Sequence, residues 1–231
     1  MTPAVVLTVA GSDSGGAAGI AADLTTFAAL GCHGAVAVTA VTAQSTLGVH
    51  RVVRLSAGDV VAQLRAVLDD LPVAAVKTGM LGSAAVVRAV ADTLPPGLPL
   101  VVDPVLVATS GAVLADDEVV AAYREVLLPR ATVATPNSDE AAVLGTLPCP
   151  SVVTAGSVDV LDGIELRAPV VPTENDHGTG CTHSAALAAY LAHGHPLPEA
   201  ARLAQQFVVA RLKVSATWSL GRGRGPVSHI H

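Results

Sequence analysis

The chain has 231 residues, 51% of them apolar and 14% charged, which is enough to bury one large core and fits one generous domain spanning 1–231. A formal charge of −6 argues against nucleic acid or an anionic membrane surface as the main partner. Aromatics make up only 2%, so the core must be built from Ala, Val and Leu.

Met1-Thr2-Pro3 enters an apolar run with neither a basic flank nor a cleavage site, so no signal peptide is expected. No apolar run approaches the ~18 residues of a spanning helix. The three cysteines, Cys32, Cys149 and Cys181, are odd in number and far apart, which suits reduced thiols in the cytoplasm. A strand is predicted at Val5-Val9, then an Ala-rich helix at Ala18-Leu30 and a strand at Ala35-Thr39. Helix Gly58-Asp70, strand Ala74-Lys77, helix Ser83-Thr93, strand Leu100-Val102, helix Asp116-Leu128 and strands Thr132-Ala134 and Val152-Thr154 continue the alternation. Asp162-Gly163 predicts a tight hairpin between Val158-Leu161 and Ile164-Arg167, and helices Gly180-Ala192 and Leu197-Val214 close the chain. Strands alternating with helices specify an α/β fold, a mostly parallel sheet with helices on both faces. Ligands collect at the carboxyl ends of such strands, so function is sought in the loops that follow them.

The loop from Ala10 to Asp23 carries Gly11, Gly15, Gly16 and Gly19 between strand and helix. A dinucleotide site would need an acidic residue ~20 positions on, yet Leu24 to Gly58 contains neither Asp nor Glu. A P-loop is absent too, and a purely structural turn is the alternative for this loop in isolation. The second loop, Asp176-His177-Gly178-Thr179-Gly180-Cys181-Thr182-His183-Ser184, opens a helix. Unpaired N–H groups and the helix dipole there suit developing negative charge on a phosphoryl group. The same field is expected to lower the Cys181 thiol pKa and favour a thiolate. A Gly-rich start to a core helix with a buried Cys explains the loop equally well. His177, Cys181 and His183 cluster in sequence, but Cys181 and His183 lie two apart on a helix and diverge, so no metal site is expected there. His193, His195, His229 and His231 are expected to be solvated.

Taken together these segments resemble the hydroxymethylpyrimidine/phosphomethylpyrimidine kinase family of the ribokinase-like class. The pattern is similar from Thr8 to Leu24, at Thr39-Ala40-Val41-Thr42-Ala43-Gln44-Ser45-Thr46, Val76-Lys77-Thr78-Gly79-Met80-Leu81-Gly82, Val102 to Gly111, Thr135-Pro136-Asn137-Ser138-Asp139-Glu140-Ala141, His177 to Thr182 and Gly223 to Val227. The resemblance implies a ribokinase-like three-layer αβα sandwich that uses ATP and Mg²⁺ on a small-molecule pyrimidine, with a homodimer as partner state. It implies that Gly178, Thr179, Gly180 and Cys181 form a catalytic anion hole, in which Cys181 either acts as base or lines the pocket. Gly11, Asp23, Gln44, Met80 and Val107 would bind substrate, Gln44 through the aminopyrimidine edge. Asn137 and Thr154 would contact the nucleotide, and Glu140 and Asp103 the magnesium, through water.

The chain departs from the family pattern between Asn137 and Cys181, where it looks short. Thr154 and Thr109 stand where lysines are common, and the whole protein has only two lysines, Lys77 and Lys213. Lysine normally neutralises polyphosphate charge. Three readings follow: a pyrimidine kinase of thiamine biosynthesis acting once or twice, a kinase for a pyridoxal-like vitamin, and a catalytically weakened pyrimidine-binding protein.

Overall fold

The computed structural model describes residues 2–107 and 114–230, so Thr109 lies outside the described residues. In chain order the elements are β1 (Val5–Ala10), α1 (Gly19–Ala29), β2 (His33–Val38), β3 (Ala40–Ser45), β4 (Gly48–Arg54), α2 (Ala57–Leu68), β5 (Val73–Thr78), α3 (Ala84–Thr93), β6 (Leu100–Val102) and α4 (Asp117–Ala122). A wide turn (Tyr123–Leu127) and a tight one (Leu128–Arg130) carry α4 on to β7 (Val133–Ala134). Then come α5 (Ser138–Leu144), β8 (Val152–Val153), β9 (Val158–Leu161), β10 (Ile164–Arg167), α6 (Thr179–Ala192) and α7 (Leu197–Ser215). Among the described residues no helix is long and apolar enough to cross a membrane.

The central sheet is five-stranded and parallel, in the order β2-β1-β5-β6-β7. Every residue of β1 is buried, as a strand covered on both faces requires. Alternation along it assigns the layers. Val5, Leu7 and Val9 pack with Val60 and Leu64 of α2 and Val86, Val87 and Val90 of α3. Val6 faces the other way, against Phe27 of α1 and the alanines of α6 and α7. Ala185, Ala186, Ala188 and Ala189 are fully buried, and their small side chains let α6 lie close to the sheet. The core is thus the Ala, Val and Leu core expected from composition, in three αβα layers.

Two regions differ from the sequence expectation. The stretch after β2 is no loop but an antiparallel hairpin, β3 with β4, whose alternating residues pair Val41 with Val53. The register shifts between Ala43 and Gln44, a bulge that redirects the side chain following it. The segment after Asn137 forms α5, started by a capping box in which Asn137 accepts from Glu140 N and Glu140 accepts from Asn137 N. The Asp162-Gly163 turn is confirmed, joining β9 and β10 with φ of 47° and 86°. Of the histidines expected to be solvated, His193 contacts Cys32 Sγ and Leu30 O. His229 is half-buried against Thr182 Oγ1, and burial followed by Arg211 pushes its pKa down to about 4.

Beneath the loops, a buried ion network ties the layers together. Lys77 Nζ at the end of β5 lies 2.9 and 3.1 Å from the Asp23 carboxylate of α1 and 3.7 Å from Asp103 Oδ2 after β6. Thr8 of β1 donates to Asp23 and Ser184 of α6 to Asp103. Burial opposes the charge on Lys77, but Asp23, Cys181 and Asp103 outweigh it and hold the ammonium above its ordinary value. Burial raises both aspartates, against the pull of Lys77. Removing the cation strands two carboxylates in the core. Lys77→Met is therefore expected to cost about 3–5 kcal/mol in chemical denaturation, part of it recovered in the Lys77→Met/Asp23→Asn double variant.

Candidate active site

Chain order moves from β1 outward to β2 and then returns to the far side of β1 at β5. This places a topological switch between β1 and β5, where a crevice opens at the carboxyl ends of the strands. A cavity of about 250 Å³ occupies that crevice. Its lining comes from the loop after β1 (Gly11, Asp13), from β3 (Thr42, Gln44), from the ends of β5 and β6 (Met80, Asp103) and from the start of α6 (Gly178 to Cys181).

The structure brings Gly11, Gln44, Met80, Val107, Asp103, Asn137, Glu140, Thr154 and the Gly178–Cys181 turn to this one cavity. Asp23 is the exception. It is fully buried, held by Lys77 and Thr8, and does not reach the cavity, so the expected substrate contact of Asp23 is corrected to a structural ion pair. A helix position facing the sheet decides this, and its partner lies too far along the sequence to be foreseen.

Local physics builds each wall. A Cβ at Gly11 would sit 2.6 Å from Met80 Cε, so a side chain there would displace the Met80 methyl from its place in the wall. Gly178 caps α6 in the left-handed region at φ +90°, and a Cβ there would lie 1.8 Å from Ala17 O. The two glycine loops are thereby pressed together. Thr179, Gly180 and Cys181 follow in the first turn of α6, where N–H groups lack intrahelical acceptors. Asp13 organises the first loop by accepting from Gly15 N at 2.7 Å, Ala17 N at 3.1 Å and Ala18 N at 2.9 Å. Burial works to raise its pKa, but His177 and these N–H groups outweigh it, and the carboxyl sits below its ordinary value. His177 Nε2 is 3.3 Å from Asp13 Oδ2 and 3.1 Å from Gln44 Nε2. Asp13 was not singled out from sequence, and His177 was weighed there only as a metal ligand; both lie within quoted motifs, but nothing local announces that they meet.

The expectation of a low thiol pKa at Cys181 is also corrected. Burial pushes it up to about 12, and the carboxylates of Asp103 and Asp23 add to the rise against the opposing pull of Lys77. Glu140 is raised to about 7 by burial and by Asp103, although Asn137 N and Leu106 N donate to it. Two carboxyls on one cavity wall are a reasonable donor set for a divalent cation, which needs only one or two carboxylates when phosphates and waters supply the rest. Among the described residues no group of three or more His, Cys, Asp or Glu is arranged to hold a metal.

A second cavity of about 280 Å³ adjoins the first. Thr154, Thr179 and Gly180 line both. Its walls include Val170, Val208 and Leu212, with Asp159, His183 and Gln205 at one side. Among the described residues, none that lines either cavity is Lys or Arg.

A family model described as phosphomethylpyrimidine kinase matches residues 13–158 and 152–228. The two segments meet where the chain looks short. The chain is 44% identical to the hydroxymethylpyrimidine/phosphomethylpyrimidine kinase of Rhizobium meliloti, over 99% of this chain and 97% of that one. Among solved structures it is similar to an ADP complex of Bacillus subtilis pyridoxal kinase, with a TM-score of 0.87 and 34% identity over 99% and 98% of the two chains. It is also similar to the phosphomethylpyrimidine kinase of Clostridium difficile 630, with a TM-score of 0.75 and 32% identity over 90% and 98%. The fold is accordingly ribokinase-like.

The raised Glu140 pKa has a sign that can be tested. Between the ordinary value of 4.5 and about 7 the folded protein keeps a proton that the unfolded chain has lost, so this group makes stability fall as pH rises through that window. Glu140→Gln is expected to flatten the decline by up to about 1.4 kcal/mol per pH unit, read from denaturation midpoints between pH 4.5 and 7.

Proposed function

We propose that this chain, which belongs to the phosphomethylpyrimidine kinase family, transfers the γ-phosphoryl group of ATP to the hydroxymethyl oxygen of 4-amino-5-hydroxymethyl-2-methylpyrimidine, and then phosphorylates the monophosphate, in thiamine biosynthesis. One observation carries the assignment of parts: the open first turn of α6 faces the same cavity as Gln44 and Met80, so a phosphoryl acceptor and an anion-binding turn share one space. Residues 1–231 would act as one kinase domain in the cytoplasm, in keeping with three free cysteines.

In this reading Gln44 takes the aminopyrimidine edge, and Gly11, Met80 and Val107 enclose the ring. Gly178, Thr179, Gly180 and Cys181 receive the charge that spreads over the transferring oxygens. The nucleotide occupies the second cavity with its phosphates over Thr179 and Gly180, which line both spaces, and Asn137 and Thr154 stand beside it. Asp103 and Glu140 would hold Mg²⁺ through water, and the cation would supply the positive charge that the cavity walls lack. The bond from the γ-phosphorus to ADP breaks as the bond to the hydroxymethyl oxygen forms, and the hydroxyl proton passes to Cys181 as thiolate.

Because the thiol is held near 12, the thiolate is scarce at neutral pH, and base catalysis must strengthen as pH rises. Rapid-quench turnover with ATP, Mg²⁺ and hydroxymethylpyrimidine is expected to yield mono- and diphosphate, with the chemical step accelerating about tenfold per pH unit from 7 to 9. Cys181→Ala should remove that slope. Pyrimidine binding without any phosphorylated product would overturn the kinase reading, and a flat profile in the wild type would remove Cys181 as base.

A second reading, a pyridoxal kinase, is favoured by the higher TM-score of the pyridoxal kinase structures, 0.87 against 0.75. A larger kcat/KM for pyridoxal than for the pyrimidine in the same assay would establish it. We further propose a homodimer: Val41 and Val53, opposite one another in the β3–β4 hairpin, are 52% and 48% exposed and form an apolar face that a second copy would cover. A monomer in sedimentation at tens of micromolar would dismiss it.

A further inference from the structure

The amide of Gln44 has two ends alike in shape and opposite in hydrogen-bonding character, so the protons around it decide which end faces where. At one end stands His177 Nε2, 3.1 Å from Gln44 Nε2 and 3.3 Å from Asp13 Oδ2. Three backbone N–H groups already donate to Asp13, the surroundings of an ionised carboxylate. A bare imidazole lone pair facing that carboxylate would be repelled, so the proton of His177 sits on Nε2. An Nε2–H cannot meet the NH₂ of an amide, because both are donors. The amide oxygen must face it.

The other end leads independently to the same answer. Thr42 Oγ1 lies 3.4 Å from Gln44 Oε1, but a hydroxyl has a single proton, and that of Thr42 goes to Ser12 O at 2.9 Å. Thr42 can therefore only accept from Gln44, which again requires the amide nitrogen at this end. With the amide turned over, every donor in the group meets an acceptor. The backbone of Gln44 is pinned on both sides, since its N–H donates to Ser14 Oγ at 2.7 Å and its carbonyl accepts from the same hydroxyl at 2.8 Å.

We propose that His177, backed by Asp13, is a specificity-determining positioning residue that locks the Gln44 amide with its oxygen toward His177 and its nitrogen toward Thr42. The cavity then accepts a heteroaromatic ring bearing an exocyclic amine beside a ring nitrogen in one direction only. The amine donates to Gln44 Oε1 on the His177 side, and the ring nitrogen accepts from the Gln44 N–H on the Thr42 side. An oxo analogue, with a carbonyl in place of the amine and a proton on the ring nitrogen, presents the reversed pattern and is refused. This inference rests on the pyrimidine reading above for the identity of the ligand, but not for the orientation of the amide.

Two measurements test it separately. In the ligand-free protein, nuclear Overhauser contacts from the Gln44 side-chain NH₂ are expected to the Thr42 methyl and not to the His177 ring; contacts to the ring would overturn the orientation whatever the substrate proves to be. Calorimetric titration with the aminopyrimidine and with its oxo analogue should show a preference for the amine of at least about 100-fold, falling to about tenfold or less in His177→Phe, where the amide can turn over. Restoration of the preference in His177→Gln, which can again donate to both Asp13 and Gln44, separates positioning from a general loss of structure. An unchanged preference in His177→Phe refutes the lock. Failure of the wild type to bind either compound refutes the pyrimidine reading and leaves the nuclear Overhauser result to decide the amide.

Discussion

One ammonium group, that of Lys77, holds opposing parts of this molecule in register. It emerges from β5 with no exposed surface and meets carboxylates from α1 and from the end of β6, which in turn receive hydroxyls from β1 and α6. Burial raises Asp23, Asp103 and the thiol of Cys181 above them against the pull of Lys77, and the neighbouring carboxylates add to the rise at Asp103 and Cys181. Such networks rarely add net stability over a well-packed apolar alternative, but breaking one side of them is costly. Here the network joins the sheet to the helical layer of α1 and α6, and Ser184 carries it to the carbonyls of Gly180 and Cys181 in the anion-binding turn. The floor of the active site and the core of the fold are therefore one electrostatic object.

Above that floor the cavity is shaped by close backbone approach. A Cβ at Gly178 would strike Ala17 O, and Asp13 draws three N–H groups of the intervening loop onto one carboxylate. Both glycine loops are thereby immobilised against each other, with Gln44 reaching in from the bulge in β3. Rigid surroundings of this kind are what in-line transfer requires, since positioning supplies much of the rate for phosphoryl transfer.

The distribution of charge is unusual for a site meant to hold polyphosphate. Among the described residues no Lys or Arg lines either cavity, and the threonine at 154 occupies a wall shared by both. The positive potential comes from the N–H end of the α6 dipole and, from below, from Lys77, which burial keeps out of contact with any ligand. The two segments of the family match overlap at 152–158, a stretch that includes this position.

Patterns that depend on neighbours in the chain were legible from residues alone. The apolar runs of β1 and β6, the Asp162-Gly163 hairpin and the glycine-led start of α6 are set by strand burial, turn chemistry and helix capping, all of which act within a few positions. The β3–β4 hairpin was hidden because its alternation is short and half-exposed, and its bulge, which aims Gln44, leaves no local signature. What only the tertiary structure decided is the state of the charged and polar groups. Asp23 turns inward because Lys77, 54 residues away, waits in the core. The Cys181 thiol is pushed up even at a helix terminus because burial and two carboxylates outweigh the pull of Lys77. His177 governs Gln44, 133 residues distant, through a proton that Asp13 holds in place. Propensity acts along the chain, whereas desolvation and Coulomb forces act through space, so the sequence by itself determined the elements and the tertiary structure alone decided their chemistry.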